Sequence, residues 1–97
     1  MNTVIRYELQ DELLRIRNCI KHVQKRFKER FGLNITEEFI YRLSDMIMSR
    51  KFPIKKRRSS NQVWVELVLP NSKRALILFN EALMIPQTVY TGGMYRR

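Results

Sequence analysis

The spacing of the apolar residues changes along this 97-residue chain, from helical in its first part to strand-like in its last third. In the first third, apolar side chains recur every three or four residues, which is the spacing of one helix face. The members of this stripe are Leu9, Leu13, Ile16, Ile20, Val23, Phe27 and Phe31. The stripe predicts one long amphipathic helix that ends at Gly32, since glycine readily adopts positive φ after a helix. The apolar pattern is weaker near the N-terminus, so a break in this helix near Asn18 is an alternative.

A second helix is predicted to follow Thr36, a good N-cap whose neighbours Glu37 and Glu38 place negative charge at the positive end of the helix dipole. The predicted buried face consists of Phe39, Ile40, Leu43, Met46 and Ile47. This helix should end by Arg50, because Pro53 disfavours helical geometry in the residue before it. The basic stretch 55–61 is then predicted to be a loop.

The last third of the sequence has the alternating pattern of strands. Val63, Val65, Leu67 and Leu69 alternate with other side chains, and 70–73 is a turn sequence. Residues 75–79 are apolar on both faces and predict a central strand. A third strand is predicted over 82–85, and 88–90 either continues it past the intervening proline or forms a short separate strand. Helices come first along the chain and strands follow. This order predicts an α+β fold with the N-terminal helices packed on one face of a small antiparallel sheet of three to four strands.

The charge balance favours a polyanionic partner. The chain has 19 Lys and Arg against 9 Asp and Glu, a formal net charge of +10. Nucleic acid is the first candidate and an anionic membrane surface the second. No apolar run approaches the roughly 18 residues of a membrane span, and no signal-peptide h-region is found at the N-terminus, so we expect a cytoplasmic protein without membrane association.

Two groups of basic residues account for most of this charge. The first basic cluster is Lys21, Lys25, Arg26, Lys28 and Arg30. The second basic cluster is Arg50, Lys51, Lys55, Lys56, Arg57 and Arg58. Close like charges repel, so a bound anion is a physical reason for such clusters. A basic surface that only aids solubility is the alternative.

His22 is the only histidine and the main candidate for acid–base chemistry. At 100° per residue it lies away from the apolar stripe, with Lys25 and Arg26 three and four residues later. Nearby cations favour the neutral imidazole, the form that a general base requires near neutral pH. A structural or simply exposed role is the commoner alternative for a single histidine.

Other chemistries have little support in the sequence. It contains no Walker A, GxGxxG or GxSxG motif, and no Cys/His cluster with metal-ligand spacing, so neither a cofactor nor a metal is expected. Cys19 has no second thiol to pair with, and we interpret it as a half-buried small residue rather than a nucleophile. Trp64, Tyr90 and Tyr95 are candidates for base stacking, although Trp64 is equally suited to covering the sheet.

The order of these features resembles the barnase–EndoU–colicin–RelE-like ribonuclease superfamily, especially its phage-borne and polymorphic-toxin branches. The resemblance lies in the segment 22–38, where a helix with His22 and Arg26 leads through Gly32 and Thr36 to a second helix. It continues in a basic stretch, an antiparallel sheet and the late-strand segment Gln87-Thr88-Val89-Tyr90. The similarity covers about residues 19–91 of one domain. Residues 1–18 are then a helical extension and 92–97 a basic tail.

The resemblance implies a small, metal-independent RNA endonuclease, a toxin or phage effector that cleaves by 2′-OH attack to leave a 2′,3′-cyclic phosphate. His22 would be the general base or acid, and Arg26, helped by Lys25 or Arg30, would stabilise charge on the phosphate. Thr88, assisted by Tyr90, would hold a phosphate oxygen or the nucleobase of the RNA. The side chains implied to bind tRNA or mRNA are Lys21, Lys25, Arg30, Lys55, Lys56, Arg57 and Arg58.

A toxin of this type implies an acidic antitoxin or immunity protein. Two functions of other classes stay open on the sequence alone. One is a non-catalytic nucleic-acid-binding module, and the other is a protein-interaction module such as a phage inhibitor. The N-terminal helix, with Leu9, Leu13 and Ile16 beyond the region of resemblance, could serve as a docking arm or form a homodimer.

Overall fold

A computed structural model describes residues 3–69 and 72–92, with side chains described from residue 10 onward, and confirms the α+β class. The elements are α1 (Thr3–Phe31), α2 (Glu37–Met48), β1 (Ile54–Ser59), β2 (Gln62–Val68), β3 (Arg74–Asn80) and β4 (Ile85–Thr91). The strands form one antiparallel sheet in the order β1-β2-β3-β4.

The first helix is continuous, as the apolar stripe predicts, and it does not break at Asn18. From Ile20 to Phe31 the stripe is buried, and this part of α1 packs along β4. Gly32 ends the helix with a φ of 66°, and its N–H donates to the carbonyl of Lys28 at 3.0 Å. The stripe therefore predicted that α1 is continuous, where it ends, and which side of it is buried from Ile20 onward.

The second helix begins as predicted but buries a narrower face. The hydroxyl of Thr36 accepts a hydrogen bond from the N–H of Phe39 at 3.0 Å, which caps the helix. The buried residues are Ile40, Leu43, Ser44 and Ile47. The prediction that Phe39 and Met46 are buried is wrong, since they are 40% and 43% exposed. Around the helix axis, Phe39 and Met46 lie about 40° and about 60° beyond Leu43, which is at the edge of the buried stripe.

The hydrophobic core lies between the helices and one face of the sheet. Val63, Val65, Ile77 and Val89 face this core together with the stripe of α1. The opposite side, here called the open face, is formed by Trp64, Glu66, Leu76, Leu78, Thr88 and Tyr90, which alternate with the core residues. Residues 75–79 of β3 are buried throughout, which confirms that this strand is central.

The prediction of a basic loop over 55–61 is wrong, because Lys55 to Arg58 lie in strand β1. This strand is at the edge of the sheet and nearly all of its residues are exposed. Lysine and arginine on an exposed edge strand discourage pairing with other chains. Because four consecutive residues of β1 are charged, the strand lacks the alternation of apolar and polar residues by which a strand is recognised in a sequence.

The predicted third strand over 82–85 is also wrong, because residues 81–84 form a turn. The side-chain oxygen of Asn80 accepts from the N–H of Leu83 at 2.9 Å, and Met84 has a φ of 59°. Strand β4 begins only at Ile85 and continues past Pro86, where the register with β3 shifts. A register shift accommodates a residue that has no N–H to donate.

Parts of two predicted segments lie outside the described residues, namely 70–71 of the turn and 93–97 of the basic tail. At the β2–β3 connection, the N–H of Ser72 donates to the carbonyl of Leu69 at 2.9 Å. Neither helix in the described ranges is long and apolar enough to cross a membrane.

Candidate nucleic-acid interface

The packing of α1 along β4 brings together His22 and Thr88, which are 66 positions apart in the sequence. The Nε2 atom of His22 and the Oγ1 atom of Thr88 lie 3.2 Å apart, within hydrogen-bond distance. Thr88 is on the open face, opposite Leu78 of β3. His22 is half-buried at the edge of this face, so it is neither a core histidine nor a fully exposed one.

The surroundings of His22 favour its neutral form. Burial is the largest cause that lowers the pKa of its imidazole below 6.5, and the positive charges of Arg26, Arg30 and Lys25 lower it further. Glu29 acts in the opposite direction. The sequence predicted this direction from the cations alone, whereas the larger contribution, burial beside β4, depends on the tertiary structure.

Arg30 connects α1 to the same strand. Its Nη1 atom donates to the carbonyl oxygen of Val89, and its guanidinium lies over the ring of Tyr90, 4.6 Å from the ring centroid. A hydrogen bond and a cation–π contact hold this side chain in one orientation. The resemblance implied only a supporting role for Arg30, but the structure places it beside both Tyr90 and the His22–Thr88 pair.

Trp64 and Tyr90 form an aromatic pair on the open face. Their ring centroids are 5.6 Å apart with an interplanar angle of 49°. Trp64 pairs with Leu78 and Tyr90 with Leu76 across the strands, so the two rings meet above β3. Leu76 and Leu78 are 1% and 4% exposed although they point away from the helices. The rings therefore cover β3, and both remain half-buried. Tyr95 lies outside the described residues.

The open face also includes side chains that no sequence pattern marks. The Nε2 atom of Gln62 donates to Oε1 of Gln87, which joins β2 to β4. Glu66 lies 3.8 Å from Lys55 and 4.0 Å from Arg74. Isolated glutamines and glutamates in strands carry no recognisable motif, so only the strand register could reveal these neighbours.

The other members of the first basic cluster lie on the same helix as His22. Arg26 donates from Nη1 to Oε1 of Glu29 at 2.8 Å, and its side chain is 34% exposed. Lys21 and Lys25 are exposed on the helix surface. Of these three, Arg26 and Lys25 act on the imidazole through their charge.

The second basic cluster is divided by its ion pairs. Arg57 donates to Oε1 of Glu81 at 2.8 Å, and Arg50 donates to Oε2 of the same carboxylate at 3.4 Å. The hydrogen bond from Arg57 is the main cause that lowers the pKa of Glu81 below 4.5. Arg57 also donates to the carbonyl oxygens of Ser59 and Ser60. This guanidinium therefore fixes the β1–β2 hairpin to the turn before β4.

The lysines of β1 lie nearer to the open face. Lys56 pairs with Trp64 in the strand register and is exposed. Lys55, at a register shift of β1, reaches Glu66. Arg58 is exposed. The structure thus places Lys55 and Lys56 beside the aromatic pair and directs Arg57 toward Glu81.

Two further kinds of reactive group are the thiol of Cys19 and side chains that ligate metals. Cys19 is half-buried on α1, and burial raises the pKa of its thiol, so the unreactive protonated form predominates at neutral pH. Within residues 3–69 and 72–92, no group of three or more His, Cys, Asp or Glu side chains could hold a metal ion.

Comparisons of the chain with models of known protein families, with curated proteins and with solved structures give no match. The superfamily resemblance therefore remains a hypothesis that depends on the motif residues.

Proposed function

We propose that this protein is a small metal-independent RNA endonuclease that cleaves at the edge of the open face, where α1 meets β4. The observation that carries the proposal is the 3.2 Å contact between His22 and Thr88 beside the fixed guanidinium of Arg30. An imidazole that favours its neutral form next to a held cation suits proton removal from a hydroxyl beside a phosphate.

The open face has the composition of a surface for single-stranded RNA. Trp64 and Tyr90 offer aromatic surface on which bases stack, and stacking of this kind tolerates many sequences. Lys55 and Lys56 lie on one side of these rings, and the first basic cluster lies on the other side. A strand that crosses the sheet from β1 to β4 would therefore meet cations, then the rings, then His22.

The proposed reaction needs no nucleophile from the protein, because the ribose 2′-OH attacks the adjacent phosphorus. Neutral His22 takes the 2′-OH proton while the O2′–P bond forms and the P–O5′ bond breaks. The leaving O5′ takes a proton from water, which gives a 2′,3′-cyclic phosphate and a 5′-OH. His22 then returns its proton to solvent.

Arg30 and Arg26 stabilise the negative charge that grows on the phosphate oxygens in this step. Thr88 keeps the imidazole oriented toward the open face and offers a hydroxyl to a phosphate oxygen. Tyr90 holds the guanidinium of Arg30 in place.

We place this activity in the cytoplasm of a bacterial or infected cell, where RNA is abundant. A nuclease active there requires an inhibitor in the cell that makes it. An acidic antitoxin or immunity protein fits a chain with a net charge of +10.

The test is incubation of the purified protein with total tRNA and a structured mRNA in EDTA. We expect discrete fragments with 2′,3′-cyclic phosphate ends. His22→Ala should lower the rate by about 10²–10⁴-fold, the usual contribution of acid–base catalysis. The matched control is Asn18→Ala, an exposed polar residue one turn earlier on α1, which should keep the wild-type rate.

One observation favours a second candidate, a non-catalytic RNA-binding module. Among the described side chains, Thr88 is the hydrogen-bond partner of His22, and no acid occupies that position. This candidate predicts intact RNA with a salt-sensitive gel shift. Absence of both cleavage and binding would contradict both candidates and leave a protein-interaction module.

A further inference from the structure

Strand β4 contains one extra residue where its register with β3 shifts. Leu78 pairs with Thr88, and the next residue of β3 pairs with Pro86, so Gln87 has no partner position on β3. In a regular strand Gln87 would face the core, because its neighbour Thr88 faces away from it. The shift turns its side chain, and Gln87 contacts Gln62, which alternates with the core residues of β2. Both amide side chains therefore lie on the open face.

The two glutamines continue a chain of hydrogen bonds that has one direction. The hydroxyl of Ser59 donates to the side-chain oxygens of Asn61 and Gln62, at 3.2 Å and 3.1 Å. The Nε2 atom of Gln62 then donates to Oε1 of Gln87 at 2.5 Å. Because its oxygen is engaged in this way, Gln87 presents its NH₂ group at the end of the chain.

The NH₂ group of Gln87 is available to a ligand. Its Nε2 atom donates to no group within residues 3–69 and 72–92. No buried nitrogen or oxygen of the described side chains lacks a hydrogen-bond partner, so this Nε2 atom is not buried. Two N–H donors of known orientation therefore face outward on the open face.

The position of this amide relates it to the candidate reaction centre. Along β4 the side chains of the open face follow in the order Gln87, Thr88, Tyr90. His22 contacts Thr88, and Arg30 lies over Tyr90. The cation and the amide are therefore on opposite sides of the His22–Thr88 pair. An RNA strand whose phosphate lies at Arg30 has room for a base on the side of Gln87.

The amide pair also lies beside an aromatic ring. Gln62 precedes Trp64 by two positions on the same face of β2. Stacking uses the face of a base and tolerates every base, whereas the polar edge distinguishes one base from another. A base that stacks on Trp64 directs its edge past the ring, where the amide of Gln87 can donate to it.

An amide that offers N–H groups distinguishes bases by their exocyclic groups. Uracil and guanine carry a carbonyl oxygen where cytosine and adenine carry an amino group. The carbonyl oxygen accepts from the amide, whereas an amino group would place two donors against each other and leave both unpaired. A site of this kind rejects the mismatched base as well as binding the matched one.

We propose that Gln87, oriented by Gln62, selects the nucleobase next to the cleaved phosphate and takes a keto base, uracil or guanine. Its Nε2 atom donates to the exocyclic carbonyl oxygen of the base, whose ring stacks on Trp64. The inference rests on the proposed function for the position of the RNA, and it names the substrate class of that site. Gln87 is the specificity-determining residue and Gln62 a positioning residue.

Binding of short RNAs tests this selection without any need for cleavage. The probes are fluorescent oligoadenosines in which the central base is uracil, guanine, cytosine or adenine, and anisotropy measures their affinity. The His22→Ala protein serves as background so that no probe is cut. The uracil and guanine probes should bind about 10-fold tighter than the cytosine and adenine probes, an effect of the size of one hydrogen bond. Equal affinities, a preference for the amino bases, or no binding would overturn the inference.

Two substitutions should each invert the preference, because a carboxylate accepts hydrogen bonds and cannot donate them. In Gln87→Glu, one oxygen still accepts from Gln62 and the other faces the base, which then has to donate. In Gln62→Glu, Gln87 is unchanged, but its NH₂ group turns toward the carboxylate and its oxygen faces the base. Both variants should bind the cytosine and adenine probes tighter than the uracil and guanine probes. An amide pair that only stabilises the sheet would change all four affinities alike.

The matched control is Gln10→Glu, the same chemical change at an exposed residue of α1. It should keep the keto preference, and circular dichroism checks that each variant is folded. A keto preference that survives Gln87→Glu overturns the role of Gln87, and one that survives Gln62→Glu overturns the orientation by Gln62. Cleavage by the protein with His22 intact is measured separately. A keto preference without cleavage contradicts the proposed nuclease alone, and cleavage without a preference contradicts this inference alone.

Discussion

The two basic clusters have similar charge in the sequence but different surroundings in the folded chain. In the first basic cluster, Arg30 bonds to a strand carbonyl and covers an aromatic ring, next to the only histidine. In the second basic cluster, Arg50 and Arg57 share the carboxylate of Glu81. The first cluster thus supplies a fixed cation at a candidate reaction centre, whereas part of the second maintains the sheet.

The difference arises from what each cluster packs against. The first lies on a helix beside β4, where Arg30 meets a carbonyl oxygen and an aromatic ring. Among the described residues, Glu29 is the carboxylate that pairs with this cluster. The second begins after α2 and continues along an edge strand, close to Glu66 and Glu81. Net charge in a stretch of sequence therefore does not tell how much of that charge is left for a ligand.

The largest contrast is expected from truncating one arginine in each cluster. Arg30→Ala should lower the cleavage rate by about 10²–10³-fold, as removal of a transition-state donor does. Arg30→Lys should not restore the rate, because an ammonium cannot bond the carbonyl and stack on Tyr90 with the same geometry. Arg57→Ala should change the rate less than about 5-fold, the factor that corresponds to about 1 kcal/mol. Single-turnover rates on a defined RNA measure all three, and equal losses for Arg30 and Arg57 would contradict the contrast.

The pH dependence of cleavage tests the electrostatic role of the first basic cluster. The lowered pKa of His22 keeps the imidazole neutral at pH 7, so the rate should be level there and fall only as the pH drops below 6.5. Arg26→Gln should move the midpoint of this fall to higher pH, because one of the positive charges that lower the pKa is removed. A pH–rate profile for each variant is the measurement. An unchanged midpoint would show that Arg26 does not influence the imidazole.

Alanine substitutions in the second basic cluster should have a smaller effect, and this effect should be on RNA affinity. Lys56→Ala should reduce the slope of log K against log salt by about 0.7, the value for one phosphate contact on a single strand. Arg57→Ala should reduce it less, since Glu81 already compensates the guanidinium. Fluorescence anisotropy over a salt series, with the His22→Ala protein as background to prevent cleavage, measures both. A steeper reduction for Arg57 than for Lys56 would reverse the assignment.

The smallest effect is expected when the carboxylate of Glu81, which pairs with Arg50 and Arg57, is removed. Glu81→Gln should lower the free energy of unfolding by no more than about 1 kcal/mol, because the side chains of its arginine partners are about half exposed. The lowered pKa of Glu81 means that the stabilisation is present above pH 4.5 and is lost as the pH falls through the lower folded value. Urea unfolding at pH 7 and at acidic pH measures the difference. The same variant should bind RNA more tightly, since Arg50 and Arg57 lose their anionic partner.

Most of the fold follows from patterns that can be read locally. The long stripe of α1 and the capped start of α2 each depend on side chains a few positions apart. The wrong predictions of secondary structure occur where the local pattern was missing, at the charged edge strand β1 and at the turn that precedes Pro86. An edge strand is stabilised by hydrogen bonds to its neighbour, which no pattern of exposed lysines records.

The candidate site likewise has one part that could be predicted from the sequence and another part that depends on the tertiary structure. The sequence singled out His22 and the aromatic residues by type, and it predicted neutral imidazole from the charges on the same helix. Thr88 became a candidate only through the family resemblance. The sequence could not show that Arg30 reaches Tyr90, or that Arg57 bonds to Glu81. These contacts join residues that are far apart in the chain, so they exist only after α1 packs along β4 and the sheet sets its register. Residue type and local spacing determined the chemistry that is available, and tertiary packing decided which groups meet.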